Sequence, residues 1–249
     1  MTITQAEHVH ARLAELGPFV GHDPLPPNGV ADGWRPCAEL LRSAAWIEQL
    51  VERTRIGLAL GGSVAEVDVE DRVAASTAHL GVLARLVSPA VALTALTRHA
   101  PDLGAHLWFR FDKHRLQARL DYAGLVDDAA WARADDSMTG PLVRALLLPF
   151  GDLLAGTTGL TPVIVLGNTA SALRGAVTVL RGASPAVGSV AEQLVGDLLT
   201  VSELSGSWVV APDGPAGRIR WRRQSCCLFY RIPGAGLCGD CVLTRVPRR

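Results

Sequence analysis

Lysine is almost missing from this chain of 249 residues: Lys113 is the only one among 24 basic residues, so arginine holds every other basic position. A single arginine therefore says little here, and only clustering carries meaning. Aromatics are also sparse, at 5%, and the scattered tryptophans Trp34, Trp46, Trp108, Trp131, Trp208 and Trp221 read as core or rim residues. No uninterrupted apolar run reaches the roughly 20 residues that a membrane span needs. The longest weakly charged stretch, Ala145 to Leu173, is broken by Pro149, Asp152, Gly156, Gly159 and Pro162, and reads as two core helices joined by a turn. The opening MTITQAEHVHARLAEL lacks a basic region followed by an apolar one, so no secretory signal is expected, and a cytoplasmic protein is.

Other absences narrow the chemistry. There is no P-loop, no GxSxG and no HExxH, and Gly57-x3-Gly61-Gly62 lacks the strand-turn-helix setting of a dinucleotide fingerprint. His8-x-His10 and the His106, His114 pair form no convincing ligand set. With no nicotinamide or flavin site in view, a redox role would need an external electron donor. Formal net charge is zero, and no nucleic-acid partner is expected.

The body reads as mainly helical. A helix is expected over His8 to Leu16, then a Pro/Gly-rich connector. A long amphipathic stretch follows from Cys37 to Thr54, with Leu40, Leu41, Ala44, Trp46, Ile47, Leu50 and Val51 at helical spacing. GLALGGS, Gly57 to Ser63, reads as a breaker. Helices are expected over Val69 to Leu86 and, after Pro89, to Arg98. LWFRFD-KHR-LQARLDY alternates apolar and polar residues and predicts an antiparallel hairpin. Helices from Gly140 to Leu154, Val163 to Leu180 with Thr161-Pro162 as N-cap and first residue, and Ser189 to Thr200 complete the body. Beyond Ser202, strands Trp208 to Ala211 and Arg218 to Arg222 around Asp213-Gly214-Pro215 predict a second hairpin. The expected fold is thus mainly α (α+β): a helical body over 1–205 with one internal β-hairpin, and a small C-terminal module over 206–249 made of a β-hairpin and a loop.

Cysteine is absent between Cys37 and Cys226, and then four occur within the last 24 residues, as Cys226-Cys227, ten residues, Cys238, two residues, Cys241. Cys37 alone on a helix reads as a small core residue. The same tail is basic: from Thr200 onward eight arginines face Glu203, Asp213 and Asp240, so the last fifth is positive and the rest negative. Such a surround suits an anionic partner or an anionic metal centre. In Cys238-Gly239-Asp240-Cys241 the two-residue gap lets both sulfurs turn toward one metal. Adjacent cysteines on an extended strand point to opposite sides, so Cys226-Cys227 clamps one ion only if the backbone turns there, and otherwise suits a wider object. Four thiolates serve [2Fe–2S] or tetrahedral zinc, and two disulfides are a third option. Structural zinc usually uses two CxxC knuckles and this chain has one, which favours iron–sulfur.

RRQSCCLFYRIPGAGLCGDCVL resembles the C-terminal signature of the FhuF-type ferric-siderophore reductases, and GNTASAL (Gly167 to Leu173) resembles that family's helical G-N-x-A-S-A pattern. Where the family commonly continues C-G-D-C-P-L, this chain has Val242. The resemblance implies that Cys226, Cys227, Cys238 and Cys241 ligate a [2Fe–2S] cluster. It also implies one-electron reduction of siderophore-bound Fe(III) to Fe(II), with no catalytic residue beyond the cluster. Hard oxygen chelators prefer Fe(III), so reduction loosens the chelate. Arg222, Arg223, Arg231, Asn168 and Ser171 are the expected substrate-binding residues; Asn168 and Ser171, three apart on one helix face, also read as a pair that fixes a helix junction. Arg218 and Arg220 add to the positive field. An iron–sulfur electron carrier or regulator serving a protein partner, and a structural-zinc helical protein, are the competing expectations.

Overall fold

The computed structural model describes residues 3–127, 138–211 and 220–247. At its centre stands α4, Asp71–Thr97, which buries residues on every side of its middle turns (Val82, Leu83, Leu86, Val87, Ala90, Val91). A helix apolar all round belongs inside a core. α8, Pro162–Ala183, packs along it, and α3 (Ala44–Gly62), α7 (Leu148–Thr158) and α9 (Pro185–Thr200) complete the helical layer around it. Among the described residues, α4 and α8 are the two helices long and apolar enough to cross a membrane, and most of the apolar window of each is buried inside the protein. α1, Ile3–Ala14, begins earlier than the sequence suggests.

Three expectations about helix ends are corrected. The stretch from Cys37 is not continuous: α2 (Cys37–Leu40) stops, and Ser43 caps a new helix by accepting from Trp46 N–H at 3.2 Å. The breaker GLALGGS is instead the last turns of α3, which ends only where Ser63 turns left-handed (φ 51°). Pro89 does not divide α4. Proline cannot donate to the carbonyl four residues back, but His22 Nε2–H donates to that orphaned Arg85 carbonyl at 2.9 Å. The helix passes through its proline because a residue 63 positions earlier in the chain satisfies the break.

The internal hairpin forms as expected from β2 (Leu107–Asp112) and β3 (Arg115–Leu120), antiparallel, with Lys113 left-handed in the turn. A short β1, Arg35–Pro36, adds to β2 and makes a sheet of three strands. Trp46 of α3 stacks on Phe109 and Phe111, with centroids 6.2 and 5.9 Å away, which seals the sheet against the helices. Small helices α5 (Leu103–His106) and α6 (Tyr122–Asp127) flank the hairpin. The segment expected from Gly140 to Leu154 is a wide π-type helix over Thr139–Leu147 that runs into α7. Thr161-Pro162 starts α8 and Ser184 caps α9. β4 (Trp208–Ala211) and β5 (Arg220–Arg223) form the C-terminal hairpin in the register Trp208 to Arg223. Its expected turn at Asp213-Gly214-Pro215 lies outside the described residues, as do Trp131 and Arg218.

One core residue is chemically exposed to acid. His79 of α4 is fully buried against Phe150, ring centroids 5.3 Å apart, and neither ring nitrogen has a hydrogen-bond partner among the described residues. Burial pushes its pKa from 6.5 down to about 3. A depressed histidine pKa favours the fold above pH 6.5, and that contribution is lost as pH falls toward 3, at about 1.4 kcal/mol per pH unit. His79→Leu should therefore out-stabilise the native chain by a margin that widens as pH drops from 6.5 to 4, measured by thermal unfolding. A margin that does not change with pH would contradict it.

Candidate metal centre

The cysteine loop begins where β5 ends. Gln224 N–H bonds to the Ser207 carbonyl at 3.0 Å, and Arg223 N–H bonds to the Asp240 carbonyl at 3.1 Å, which ties the start of the loop to its end. Cys226-Cys227 is not extended, because Leu228 is left-handed (φ 67°) and its N–H turns back onto Cys226 Sγ at 3.3 Å. A 3-10 turn over Phe229–Arg231 follows, and Leu228 and Ile232 enter the core shared with the helices. The chain then returns through Pro233 to Gly236. At the second pair, Cys241 N–H bonds to the Cys238 carbonyl at 3.1 Å and closes the two-residue turn.

These turns bring the thiols together. Cys227 Sγ lies 3.7 Å from Cys238 Sγ, and Cys226 interacts with both Cys227 and Cys241. Cys227 and Cys241 are buried, while Cys226 and Cys238 are partly open to solvent. Hydrogen bonds from the Cys226 and Cys238 thiols, reinforced by the Arg223 charge, hold Cys227 well below the ordinary thiol range against the effect of burial. The two donors, bonded to Cys227 and partly buried, are pushed up. A site with one thiolate already favoured and a cation beside it is primed to lose its remaining protons to a metal. Among the described residues no three His, Cys, Asp or Glu side chains gather on one ion-sized point.

The residues expected to bind substrate occupy two different settings. Arg223 is only 2% exposed. Its Nη1 donates to Asn168 Oδ1 at 2.8 Å, and its Nη2 donates to Ser171 Oγ at 2.9 Å and Asp240 Oδ1 at 3.3 Å. Asn168 is fully buried and donates in turn to the Ser76 hydroxyl and carbonyl of α4, at 3.0 and 3.2 Å. Burial opposes the Arg223 charge, but Asp240, Cys227 and Cys238 outweigh it, and its pKa rises. The helical GNTAS segment and the cysteine loop are therefore one structure, joined through a single guanidinium. Arg231, in contrast, is on the rim of the loop, paired with Glu70 at the start of α4 and lying over the Tyr230 ring. Arg222, on the β5 residue beside Arg223, is partly exposed.

Gly167 explains the first letter of that segment. A Cβ there would come within 2.0 Å of Ser225 Oγ and 3.3 Å of its Cβ, so α8 and the residue before Cys226 touch only because position 167 has no side chain. Gly167→Val should lever the loop off α8 and speed loss of bound iron to a chelator, measured by bleaching of the visible absorption. Retention equal to the native chain would show that the contact is dispensable.

Sequence reading missed Ser76 and Glu70, which sit on α4 far from the cysteines, and nothing in their local sequence marks them. It also missed Arg174 in the wall beside Asp240. Trp221 packs on Trp208 at 4.2 Å between centroids and carries the Arg174 guanidinium 4.0 Å above its ring, a cation–π contact. Cys37, as expected, is a core residue, its thiol donating to the Leu103 carbonyl at 3.2 Å.

In comparison with known families, residues 223–243 fit the family described as the FhuF 2Fe-2S C-terminal domain. No curated protein matches the chain. The matched span starts at Arg223 and holds the whole cysteine loop. The cofactor is thus a [2Fe–2S] cluster, and the zinc expectation falls. The donor set fits it: four thiols in one loop, one of them favoured as thiolate, and a buried cation facing a centre whose charge is negative.

Proposed function

We propose, from the FhuF-type 2Fe-2S domain that this chain carries at residues 223–243, that it is a ferric-siderophore reductase. The observation that carries this reading is the placement of the four thiols in one loop at the molecular surface, with Cys226 and Cys238 reaching solvent. When bound, the cluster supplies one-electron transfer, which matches the Fe(III)/Fe(II) step. Cys226, Cys227, Cys238 and Cys241 are its proposed ligands. The substrate is chelated Fe(III); the electron comes from an external donor, a ferredoxin-like protein or a small reductant. The setting is the cytoplasm, where released Fe(II) stays reduced.

The division of labour follows the two settings above. Residues 1–205 form the helical body that receives the chelate, and 206–249 the cluster module. Arg222 and Arg231, at the partly exposed rim, draw an anionic chelate or an acidic donor protein toward the loop. Arg223 and Asn168 are buried and Ser171 is partly so, and their contribution to the substrate is indirect: they fix the loop against α8. No proton-transferring residue is required for outer-sphere reduction.

The test is anaerobic stopped-flow mixing of the reduced protein with ferric hydroxamates, catecholates and citrates. Reoxidation should be faster by at least tenfold than for the Arg222→Gln, Arg231→Gln double variant when the chelate is anionic. Reoxidation by an acidic electron-transfer protein but by no chelate would make the chain a carrier, and the reductase reading would be abandoned.

A further inference from the structure

A second site lies between α3, α4 and the β2–β3 hairpin, where a cavity of about 580 Å³ opens. That volume is within the range of small-molecule sites. Arg85 lines it, half-buried. Its side chain donates to the Gly81 carbonyl of its own helix at 2.7 Å, and no carboxylate pairs with it among the described residues. Other arginines on the protein find acids readily: Arg55 has Asp71, Arg119 has Asp23, and Arg174 and Arg181 share Glu192. Burial disfavours its charge, and no acid offsets that cost, so an anion entering the cavity would find an uncompensated cation.

The rest of the lining agrees. Thr77, one turn before Gly81, holds a buried hydroxyl without a hydrogen-bond partner among the described residues. His114 and Arg115 close the far wall from the hairpin, and Gln117 adds an amide. Arg85 and Arg115 face the single acid Asp112, so the lining keeps about one net positive charge. Two glycines in helix interiors, Gly57 and Gly81, border the space. Each costs its helix about 1 kcal/mol relative to alanine, and together they leave the cavity open.

The cavity and the cluster loop share α4, with Thr77 at the near end and Arg85 roughly 22 Å along the helix from Glu70. Thr77, Gly81 and Arg85 continue the α4 stripe that starts at Glu70, the residue paired with Arg231. Thr77 is roughly 10 Å along the helix from Glu70, at 1.5 Å per residue. Gly62, at the end of α3, packs against Ile232 of the loop.

We propose that this cavity binds the carboxylate of a small organic acid, with Arg85 as its counter-charge. The planar guanidinium fork matches the two oxygens of a carboxylate. The site itself is independent of the redox reading; only the identification of the acid as part of a ferric chelate rests on the reductase proposal.

Calorimetric titration of the cluster-loaded protein tests it, with gallium(III) citrate, free citrate and an uncharged gallium(III) trihydroxamate as probes. Gallium(III) accepts no electron here, so the result is blind to whether reduction occurs. Gallium citrate or citrate should bind, and Arg85→Met should weaken that binding at least tenfold while leaving the thermal midpoint unchanged or higher, because an uncompensated buried charge is removed. Gly81→Leu, which fills the cavity, should weaken it equally. Tighter binding of gallium citrate than of citrate identifies the chelate as the source, and equal or tighter binding of citrate identifies a free acid. Failure of both citrates to bind, or affinity unchanged in Arg85→Met, overturns the site. Arg85-dependent binding of the uncharged trihydroxamate would overturn the carboxylate assignment.

Discussion

Serine at Cys238 or at Cys241 should give a protein that accumulates without colour, with iron and sulfide per chain down at least tenfold and no absorption beyond roughly 400 nm of the kind thiolate-ligated iron gives. Each of these cysteines sits at one end of the turn closed by the Cys241 N–H to Cys238 carbonyl bond. A hydroxyl on either side keeps that turn but replaces a soft thiolate by a poorly ionised oxygen. Cys227→Ser should be at least as severe, because Cys227 is the thiol on which its neighbours' hydrogen bonds converge. Cys37→Ser is the internal control. Its thiol is a buried donor to the Leu103 carbonyl, a hydroxyl can make the same bond, and colour should be retained in full. A colourless Cys37→Ser protein beside a coloured Cys238→Ser protein would overturn the ligand assignment.

The cysteine loop was legible in the sequence because its chemistry is local: spacing alone places four thiols within reach of one another. What sequence cannot carry is the turn at Leu228, a left-handed residue with no glycine to announce it. The end of α3 and the continuity of α4 through Pro89 were misread because both depend on the rest of the fold. Gly57 and Pro89 are breakers only in isolation, and the structure overrules each by a distant partner, packing for the first and His22 for the second. The internal hairpin was legible from its alternation, while β1 is too short, at two residues, to leave any pattern. The cavity lined by Arg85 joins α3, α4 and the hairpin, and no stretch of sequence contains more than a fraction of it.

Asn168, Ser171 and Arg223 were singled out from sequence as substrate contacts, and the structure gives them a shared position that makes a sharper prediction. Arg223→Met should cost about 3–5 kcal/mol of stability, the range for breaking a buried ion pair by removing one partner. Asp240 and the Asn168 carbonyl oxygen would be left facing an apolar side chain, and with them the bond from α8 to the loop would go. The same change removes the positive charge nearest Cys227 and Cys238. The reduced cluster carries one more negative charge than the oxidised one, so losing a neighbouring cation disfavours reduction and the potential must move to more negative values. Arg223→Lys separates the two effects. A lysine keeps the charge but lacks the planar fork that reaches Asn168, Ser171 and Asp240 together, so its potential should return most of the way to the native value while its unfolding midpoint stays low. Spectroelectrochemical titration and thermal unfolding of the three proteins decide the matter. A methionine variant that unfolds early yet holds the native potential would leave Arg223 a structural clamp with no electrostatic part in setting the cluster's redox level.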